Sequence, residues 1–352
     1  MTHADRLALA FETGQLSLPA EGRILFFRAE AAPVLDLLPR DRLECIQTFR
    51  PACDALEARG FDVRSRADVA DGDVADGDAA DGPEPAAFAI VNVTRSRAET
   101  QGLVAAALAS LAPGAPLVVT GSKTDGVDSI ARSVAAVLPL DGSYAKAHGR
   151  VFWLARPDVL PAAVAEWRDA AAPRRNAEGF LTAPGMFSPD ASDPGSRRLA
   201  ATFPGRPSGR VADLGAGWGW LAQAALEACP DITALDLHEA EALALDAARV
   251  NVPDPRARFH WSDVGALRPG VERLDWVITN PPFHQGRGAD PGLGVAFIRA
   301  AARLLRPDGR LLMVANRQLP YEAPLRAAFR RCESLGEDGG YKLFLAALPL
   351  RT

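Results

Sequence analysis

The segment Asn280-Pro281-Pro282-Phe283 combines residue types that can grip a planar molecule through an exocyclic amine. Each proline fixes its own φ angle and restricts the residue before it, so the backbone carbonyls of this segment are held in set directions. The side-chain oxygen of Asn280 and the carbonyl of Pro281 can then accept both hydrogens of an NH₂ group, and the ring of Phe283 can stack on the molecule. The same four residues also fit a proline-rich turn that closes an ordinary strand.

A glycine-rich turn upstream argues for a binding site. It follows a short apolar strand and has glycines at alternate positions, Gly215, Gly217 and Gly219, with Asp213 before them. Glycine allows close approach of the backbone to a ligand, and the helix that follows supplies free N–H groups. The spacing differs from the dinucleotide pattern G-x-G-x-x-G. It resembles motif I of the class I S-adenosylmethionine-dependent methyltransferases, which implies that these four residues bind S-adenosylmethionine.

Two acids follow at the ends of predicted strands. We predict a strand over 232–237, which places Asp236 at its carboxyl end, where an acid can accept hydrogen bonds from ribose hydroxyls. The next strand ends at Asp263, in position to accept the adenine amino group. The fourth strand, 274–279, leads into Asn280, which we expect to contact the cofactor as well as the substrate. The ordered set of elements predicts a methyltransferase.

Length and composition fit this prediction. A chain of 352 residues suggests two domains, and 48% hydrophobic residues are enough for a core in each. No apolar run is long enough to suggest a membrane span, and the start of the chain lacks the pattern of a secretory signal. The four cysteines have no metal-binding spacing, so we expect no metal site and a cytoplasmic protein.

The net charge of −5 is unusual for an enzyme that acts on nucleic acid, but the excess of acidic residues is concentrated in one segment. Seven acids and no lysine or arginine lie between Asp68 and Glu84, in a degenerate Val-Ala-Asp-Gly-Asp repeat. The spacing of these acids does not match a calcium-binding loop, and we interpret residues 68–85 as a flexible, solvated loop. Without this segment the charge balance of the chain becomes slightly positive.

The N-terminal half alternates strands and helices, including a strand over 88–93 and a helix over 45–60, which predicts a parallel α/β sheet. It has no counterpart of the glycine turn or of the NPPF segment. In the C-terminal half we predict a helix over 321–332 and a last strand over 341–348. The expected domains are a degenerate methyltransferase-like domain over 1–160, a linker over 161–179, and a catalytic seven-stranded Rossmann-like domain over 180–352.

Four segments carry a closer resemblance. Ala-Pro-Gly-Met-Phe-Ser at 183–188, Asn-Pro-Pro-Phe-His at 280–284, Val-Ala-Asn-Arg-Gln-Leu-Pro-Tyr at 314–321 and Gly-Tyr-Lys-Leu-Phe at 340–344 resemble the bacterial ribosomal RNA guanine-N2 methyltransferases, particularly the small-subunit enzymes. The resemblance implies tandem domains with a degenerate N-terminal copy. It also implies methyl transfer from S-adenosylmethionine to guanine N2, with ribosomal RNA or a ribosomal subunit as partner. We expect a monomer.

The resemblance also implies roles for individual residues. Asn280, Pro281 and Phe283 are the expected catalytic residues, and Phe187 and His284 are expected to contact the substrate. The NH₂ group at adenine N6 can bind to the same two acceptors, the Asn280 side-chain oxygen and the Pro281 carbonyl, so methylation of adenine stays open. Methylation of large-subunit RNA also stays open. Glutamine methylation of release factors and an RNA-binding assembly factor without activity are further alternatives. The glutamine enzymes usually have tyrosine in place of Phe283, and a binding protein has no need of the cofactor acids.

Overall fold

The computed structural model describes residues 3–65, 84–270, 272–282, 284–285, 288–289 and 291–350. Phe283 and most of the acidic segment 68–85 lie outside these residues, and for His284 only the backbone is described. The chain forms two compact units, one of residues 1–172 with 183–185 and the other of residues 173–182 with 186–352. The domain boundaries drawn from the sequence stay predictions. Within the described residues, no helix is long and apolar enough to cross a membrane.

The first unit consists of strands β1–β7 and helices α1–α5. In chain order they are α1 His3–Glu12, β1 Ile24–Phe27, β2 Leu43–Ile46, α2 Arg50–Glu57, β3 Asp62–Arg64, β4 Phe88–Asn92, α3 Arg97–Ser110, β5 Pro116–Ser122, α4 Val127–Ala135, β6 Gly142–Lys146, β7 Gly149–Ala155 and α5 Ala162–Ala171.

The second unit consists of strands β8–β18 and helices α6–α10. They are β8 Arg174–Arg175, β9 Leu181–Thr182, α6 Pro194–Ala200, β10 Gly209–Leu214, α7 Trp220–Ala228, β11 Ile232–Glu239, α8 Ala242–Asn251, β12 Ala257–Trp261, β13 Leu274–Thr279, β14 His284–Gln285, β15 Gly288–Ala289, α9 Pro291–Leu304, β16 Leu305–Asn316, α10 Glu322–Ala328, β17 Phe329–Asp338 and β18 Tyr341–Pro349.

Both units contain a seven-stranded sheet with the same topology. The order is β3-β2-β1-β4-β5-β7-β6 in the first unit and β12-β11-β10-β13-β16-β18-β17 in the second. In each sheet the first five strands of this order are parallel, and the sixth runs antiparallel to both of its neighbours. The predicted fold, two tandem methyltransferase-like α/β domains, is confirmed.

Each sheet is covered by an apolar cluster on both faces, because successive strand residues point to opposite sides. In the first unit Phe26 and Phe27 belong to different clusters, and in the second unit Val211 and Ala212 do. Parallel strands that are buried on both faces appear in the sequence as continuous apolar runs without alternation. This explains why β1, β4 and β13 were recognisable from the sequence.

Two predicted helices have different bounds. The predicted helix 45–60 begins only at Arg50, since Cys45 lies in β2 and Pro51 occupies the first turn of α2. Proline is favoured in a first turn because its missing N–H would have no partner there. The predicted helix 321–332 ends at Ala328, and the chain continues as β17, which pairs with β18. Pairing with a distant strand is a tertiary effect that helical periodicity does not reveal.

Candidate active site

The glycine turn and the Asn280 segment meet where the strand order of the second sheet reverses. They follow β10 and β13, adjacent parallel strands whose connections leave in opposite directions, and such a switch point is the usual place for a ligand. The buried hydroxyl of Thr279 donates to the carbonyl of Leu214 at 2.7 Å and ties the two strand ends together. A small cavity lies above them, lined among others by Phe187, Asp193, Ser196, Gly215, Gly217 and Asn280.

The turn itself requires glycine at two positions. Gly215 has a φ of +76° and Gly219 a φ of +91°, conformations that other residues rarely adopt. A Cβ on Gly219 would lie 2.7 Å from the side chain of Val252 in the segment after α8. The turn is therefore packed closely between β10 and the helices, and the N–H groups of Gly215 and Ala216 both donate to the carbonyl of His238, at 2.9 and 3.1 Å.

Asp213, before the turn, is a buried carboxylate with an unused oxygen. It is 1% exposed, and its Oδ2 has no hydrogen-bond partner among the residues that the structure describes. Burial, together with the negative charge of Glu239, raises its pKa from an ordinary 3.8 to about 8. A buried carboxyl with an orphaned oxygen is suited to pair with a cationic group, and S-adenosylmethionine carries an ammonium. The site therefore fits the cofactor.

Glu239, which the sequence interpretation missed, is the acid that contacts the glycine turn. Its Oε2 accepts a hydrogen bond from the N–H of Gly217 at 2.7 Å, and its Oε1 accepts from the N–H groups of Ala240 and Glu241 at 2.8 and 2.9 Å. Burial raises its pKa. It is the last residue of β11, which is where an acid for ribose hydroxyls is expected.

Asp236, the acid assigned to the ribose from the sequence, lies elsewhere. The strand continues beyond the predicted end at residue 237 to Glu239, so Asp236 is an interior residue of β11. Its carboxylate lies 2.9 Å from His260 Nε2 and 3.8 Å from Arg210 Nη2, on the face of the sheet. Glu239 therefore replaces Asp236 as the candidate for the ribose hydroxyls. In the sequence Glu239 was visible only as a second acid after the apolar run, three positions before the start of α8.

Asp263 follows β12 at the same edge of the sheet. Its Oδ1 accepts a hydrogen bond from the N–H of Gly265 at 2.8 Å and caps the single helical turn 264–266. In the described part of the chain no residue donates to its second carboxylate oxygen, Oδ2, and contact with the adenine amino group stays a prediction.

Asn280 is held by two residues at the start of α6. Its Nδ2 donates to Asp193 Oδ2 and to Ser196 Oγ, both at 2.9 Å. Among the described residues, none donates to the side-chain oxygen of Asn280. Pro281 is buried beside it, whereas the stacking role of Phe283 and the substrate contact of His284 concern side chains outside the described part of the chain.

Phe187 presents an exposed ring at the same cavity. Phe187 is 55% exposed, and its backbone carbonyl accepts a hydrogen bond from the indole of Trp218 at 2.8 Å. Trp218 is buried, 4% exposed, and packs against Phe180 with ring centroids 5.2 Å apart. The bulky Trp218 therefore supports the segment that carries Phe187.

The first unit shows the same framework with different side chains. The backbone N–H of Arg28 donates to the carbonyl of Ile46 at 2.8 Å, and the backbone N–H of Gly215 donates to the carbonyl of His238 at 2.9 Å. These two hydrogen bonds are equivalent, so they align the residues of one sheet with those of the other. This alignment and the strand pairing place Phe26 at the position of Asp213, Arg28 at that of Gly215, Gln47 at that of Glu239 and Asn92 at that of Asn280.

These replacements remove the features of a cofactor site. Gln47 Oε1 accepts from the N–H groups of Thr48 and Phe49 at 2.9 and 3.0 Å, the geometry of Glu239 without its charge. Arg28 forms an ion pair with Glu99. Asn92 Nδ2 donates to the carbonyl of Arg28 at 2.8 Å. The first unit therefore has no acid at the positions of Asp213 and Glu239. Arg28 occupies the position of Gly215, where the glycine turn begins in the second unit.

The chain is similar to known methyltransferases in sequence and in structure. Residues 178–345 match the family model of the methyltransferase small domain. The chain is 25% identical over 244 residues to the ribosomal RNA small subunit methyltransferase C of Idiomarina loihiensis, covering 68% of this chain and 72% of that protein. It is 33% identical over 166 residues to the ribosomal RNA large subunit methyltransferase G of Shewanella amazonensis, covering 46% of this chain and 43% of that protein.

The similarity in structure extends over both units. A 16S rRNA N2 methyltransferase of T. thermophilus, solved in complex with AdoMet and guanosine, superimposes with a TM-score of 0.76 at 24% sequence identity, over 98% of this chain and 91% of that chain. Most of the alignments with relatives, at 33–37% identity, span about half the length of those proteins.

By fold and by similarity to its relatives, the protein is of the class of the S-adenosylmethionine-dependent methyltransferases with tandem class I domains. The resemblance of the chain to the bacterial ribosomal RNA guanine-N2 methyltransferases is confirmed.

We expect Glu239→Gln to weaken cofactor binding without unfolding the protein. Glutamine keeps an oxygen for the N–H groups of the loop, as Gln47 shows in the first unit, but it loses the charge that strengthens hydrogen bonds to hydroxyls. The affinity for S-adenosylmethionine should fall about 10-fold, because charge-assisted hydrogen bonds are about twice as strong as neutral ones. Calorimetry measures it, and an unchanged affinity would argue against a ribose role. Asp236→Asn is the matched comparison, and we expect a smaller effect from it.

Proposed function

We propose that this chain transfers a methyl group from S-adenosylmethionine to the exocyclic N2 of a guanosine in ribosomal RNA, and that this RNA is that of the small subunit. The observation that carries the proposal is the shared cavity of Asn280 and the glycine turn. A claw for an amine and a site for a methyl donor lie side by side there. The name of the Idiomarina loihiensis relative favours small-subunit RNA, and the guanosine bound in the similar T. thermophilus enzyme favours guanine over adenine.

The cofactor residues have distinct roles in this proposal. Asp213 takes the ammonium, Glu239 the ribose hydroxyls and Asp263 the adenine amino group, while Gly215 and Gly217 allow the backbone to come close. When bound, S-adenosylmethionine supplies an electrophilic methyl group. No described group of His, Cys, Asp or Glu side chains is arranged to hold a metal.

Asn280 and Pro281 act on the amine of the substrate. Guanine N2 is a weak nucleophile because its lone pair is delocalised into the ring. When the Asn280 side-chain oxygen and the Pro281 carbonyl accept its two hydrogens, the nitrogen is fixed in place and its lone pair is turned towards the methyl donor. Its bond to the methyl carbon would form as the carbon–sulfur bond of S-adenosylmethionine breaks, S-adenosylhomocysteine would be left, and the nitrogen would then release one proton to water. Catalysis therefore rests on positioning and on fixed dipoles.

Phe187 offers the base a surface for stacking at the mouth of the cavity. Stacking on an aromatic ring contributes about 1–3 kcal/mol per base. The target guanosine has to be unpaired or flipped out of its helix to reach Asn280. Phe283 and His284, next in the chain, are further candidates for contacts with the base.

The first unit takes no part in cofactor binding in this proposal and serves folding or RNA binding. We propose that the protein acts as a monomer in the cytoplasm, where ribosomal RNA is modified. Calorimetry on the full chain should show one S-adenosylmethionine bound per chain. A second cofactor per chain would contradict the assignment of Phe26, Arg28 and Gln47 as the remnant of a lost site.

The assignment of substrate is tested in the cell. Ribosomal RNA from a strain that lacks the gene should lose one N2-methylguanosine, seen as a mass shift of one methyl group in a single fragment. A plasmid with the wild-type chain should restore the modification, and one with Asn280→Ala should not. Loss of the methyl group from large-subunit RNA would correct the subunit, and loss of an N6-methyladenosine would correct the base.

A further inference from the structure

We propose that Asp193 and Ser196 are positioning residues that fix which end of the Asn280 amide faces the substrate. This inference rests on the proposed function, since it concerns the amine that Asn280 grips. An asparagine side chain has one accepting and one donating end. Only the accepting end can bind an N–H of the substrate, so a claw that turned its amide over would repel the amine.

The geometry at the start of α6 selects one orientation. Asp193 Oδ2 accepts from the N–H of Ser196 at 2.9 Å, which caps the helix, and the same oxygen accepts from Asn280 Nδ2 at 2.9 Å. Ser196 Oγ lies 2.9 Å from Asn280 Nδ2 as well. A carboxylate only accepts hydrogen bonds, so the nitrogen of Asn280 has to face it and the oxygen faces the cavity.

The contacts are well enclosed. Ser196 is 9% exposed, and Gly195 is buried against the ring of Tyr341, where a Cβ would lie 2.7 Å from a ring carbon. Hydrogen bonds to a charged group in such a setting are stronger than neutral ones. The segment Asp193-Pro194-Gly195-Ser196 therefore serves as a fixed support for the amide, separate in sequence from the NPPF segment.

The decisive variant is Asp193→Ser, which keeps a helix cap but has no carboxylate to reach Asn280. Serine is about as good a cap as aspartate, so the melting temperature should change little. The hydroxyl of Ser196 can donate or accept, so it permits either orientation of the Asn280 amide once the carboxylate is gone. We expect kcat to fall about 100-fold, the loss typical of removing one preorganised hydrogen-bonding group. The affinity for S-adenosylmethionine should stay within about 3-fold of the wild type, because the amide orientation acts on the amine.

A conservative variant keeps the hydrogen-bond pattern. In Asp193→Asn the remaining side-chain oxygen can take the place of Oδ2, which makes both the helix cap and the contact with Asn280. We expect kcat of Asp193→Asn to stay at least about 10-fold above that of Asp193→Ser, because the acceptor is kept and only its charge is lost. Asn280→Asp alone places two carboxylates side by side and should be inactive. If Asp193 served only as a helix cap, Asp193→Ser would keep the full kcat.

Two controls keep the inference separate from the proposed function. Asp190→Asn, an exposed acid in the same segment, should leave kcat unchanged. The side-chain amide signal of Asn280 in nitrogen-15 NMR should show slow hydrogen exchange in the wild type and fast exchange in Asp193→Ser, whatever the substrate. Full activity of Asp193→Ser, equal kcat in Asp193→Ser and Asp193→Asn, or equal exchange rates in the wild type and Asp193→Ser would each overturn the inference. A wild-type chain without guanine methylation would overturn only the proposed function.

Discussion

Asn280→Ala is expected to lower kcat for methyl transfer by about 1000-fold, the upper range for loss of one preorganised hydrogen-bonding group. The substitution removes the side-chain oxygen that accepts from the amine and leaves the accepting carbonyl of Pro281 in place. Affinity for S-adenosylmethionine should remain within about 3-fold of the wild-type value, because Asp213 and Glu239 carry the main cofactor contacts. Single-turnover kinetics with saturating cofactor measures the first quantity and calorimetry the second.

The first unit provides the matched control for this prediction. Asn92 ends β4 as Asn280 follows β13, but its amide donates to the carbonyl of Arg28. Asn92→Ala should leave kcat unchanged and cost only stability, about 1 kcal/mol for one hydrogen bond. If Asn280→Ala lost its cofactor affinity and kept kcat at saturating cofactor, Asn280 would be a cofactor residue and the claw interpretation would be wrong.

Asp213→Asn is expected to lower the affinity for S-adenosylmethionine about 100-fold near pH 8, in the range found when one partner of a buried charge pair is removed. In the free protein the pKa of Asp213 is about 8, so most of the protein holds a neutral carboxyl at pH 7. An ammonium pairs with the ionised form, and binding therefore releases a proton. Wild-type affinity should rise between about pH 6 and pH 7.5, and the affinity of Asp213→Asn should not.

Stability should change in the opposite sense. The folded pKa of Asp213 lies above its ordinary 3.8, so its contribution to folding is fully present below about pH 4 and is lost as the pH rises through about 8. Without cofactor, Asp213→Asn should be more stable than the wild type at pH 8, measured by thermal unfolding. A variant that bound as tightly as the wild type, or a wild-type affinity independent of pH, would contradict the role of Asp213.

The comparison of Asp236 with Glu239 shows how far the sequence reached. The strand and the need for an acid at its end were predictable from the apolar run and the glycine turn before it. The end of the strand was not, because β11 continues through His238 and Glu239, whose polar side chains resemble a loop. Pairing with β12 extends to Glu239 opposite Trp261, and this distant partner holds the last residues in the strand.

The support of Asn280 was also outside the reach of the sequence. Asp193 and Ser196 precede Asn280 by more than eighty positions, and the short segment around them reads only as a helix cap. The fold brings them together because α6 packs at the carboxyl edge of the sheet beside the end of β13. The absence of a glycine turn and of an NPPF segment from the first unit was, by contrast, visible in the sequence, and that this unit binds no cofactor stays a prediction.

Under the proposed function, the protein methylates guanine N2 in ribosomal RNA at the cavity that Asn280 shares with the glycine turn. The direct test incubates the purified chain with methyl-labelled S-adenosylmethionine and ribosomal RNA or subunits from a strain that lacks the gene. Digestion to nucleosides should place all label in N2-methylguanosine, with none when Asn280→Ala is used. Label in N6-methyladenosine, label in protein, or no transfer to either the RNA or the subunits would contradict the claim.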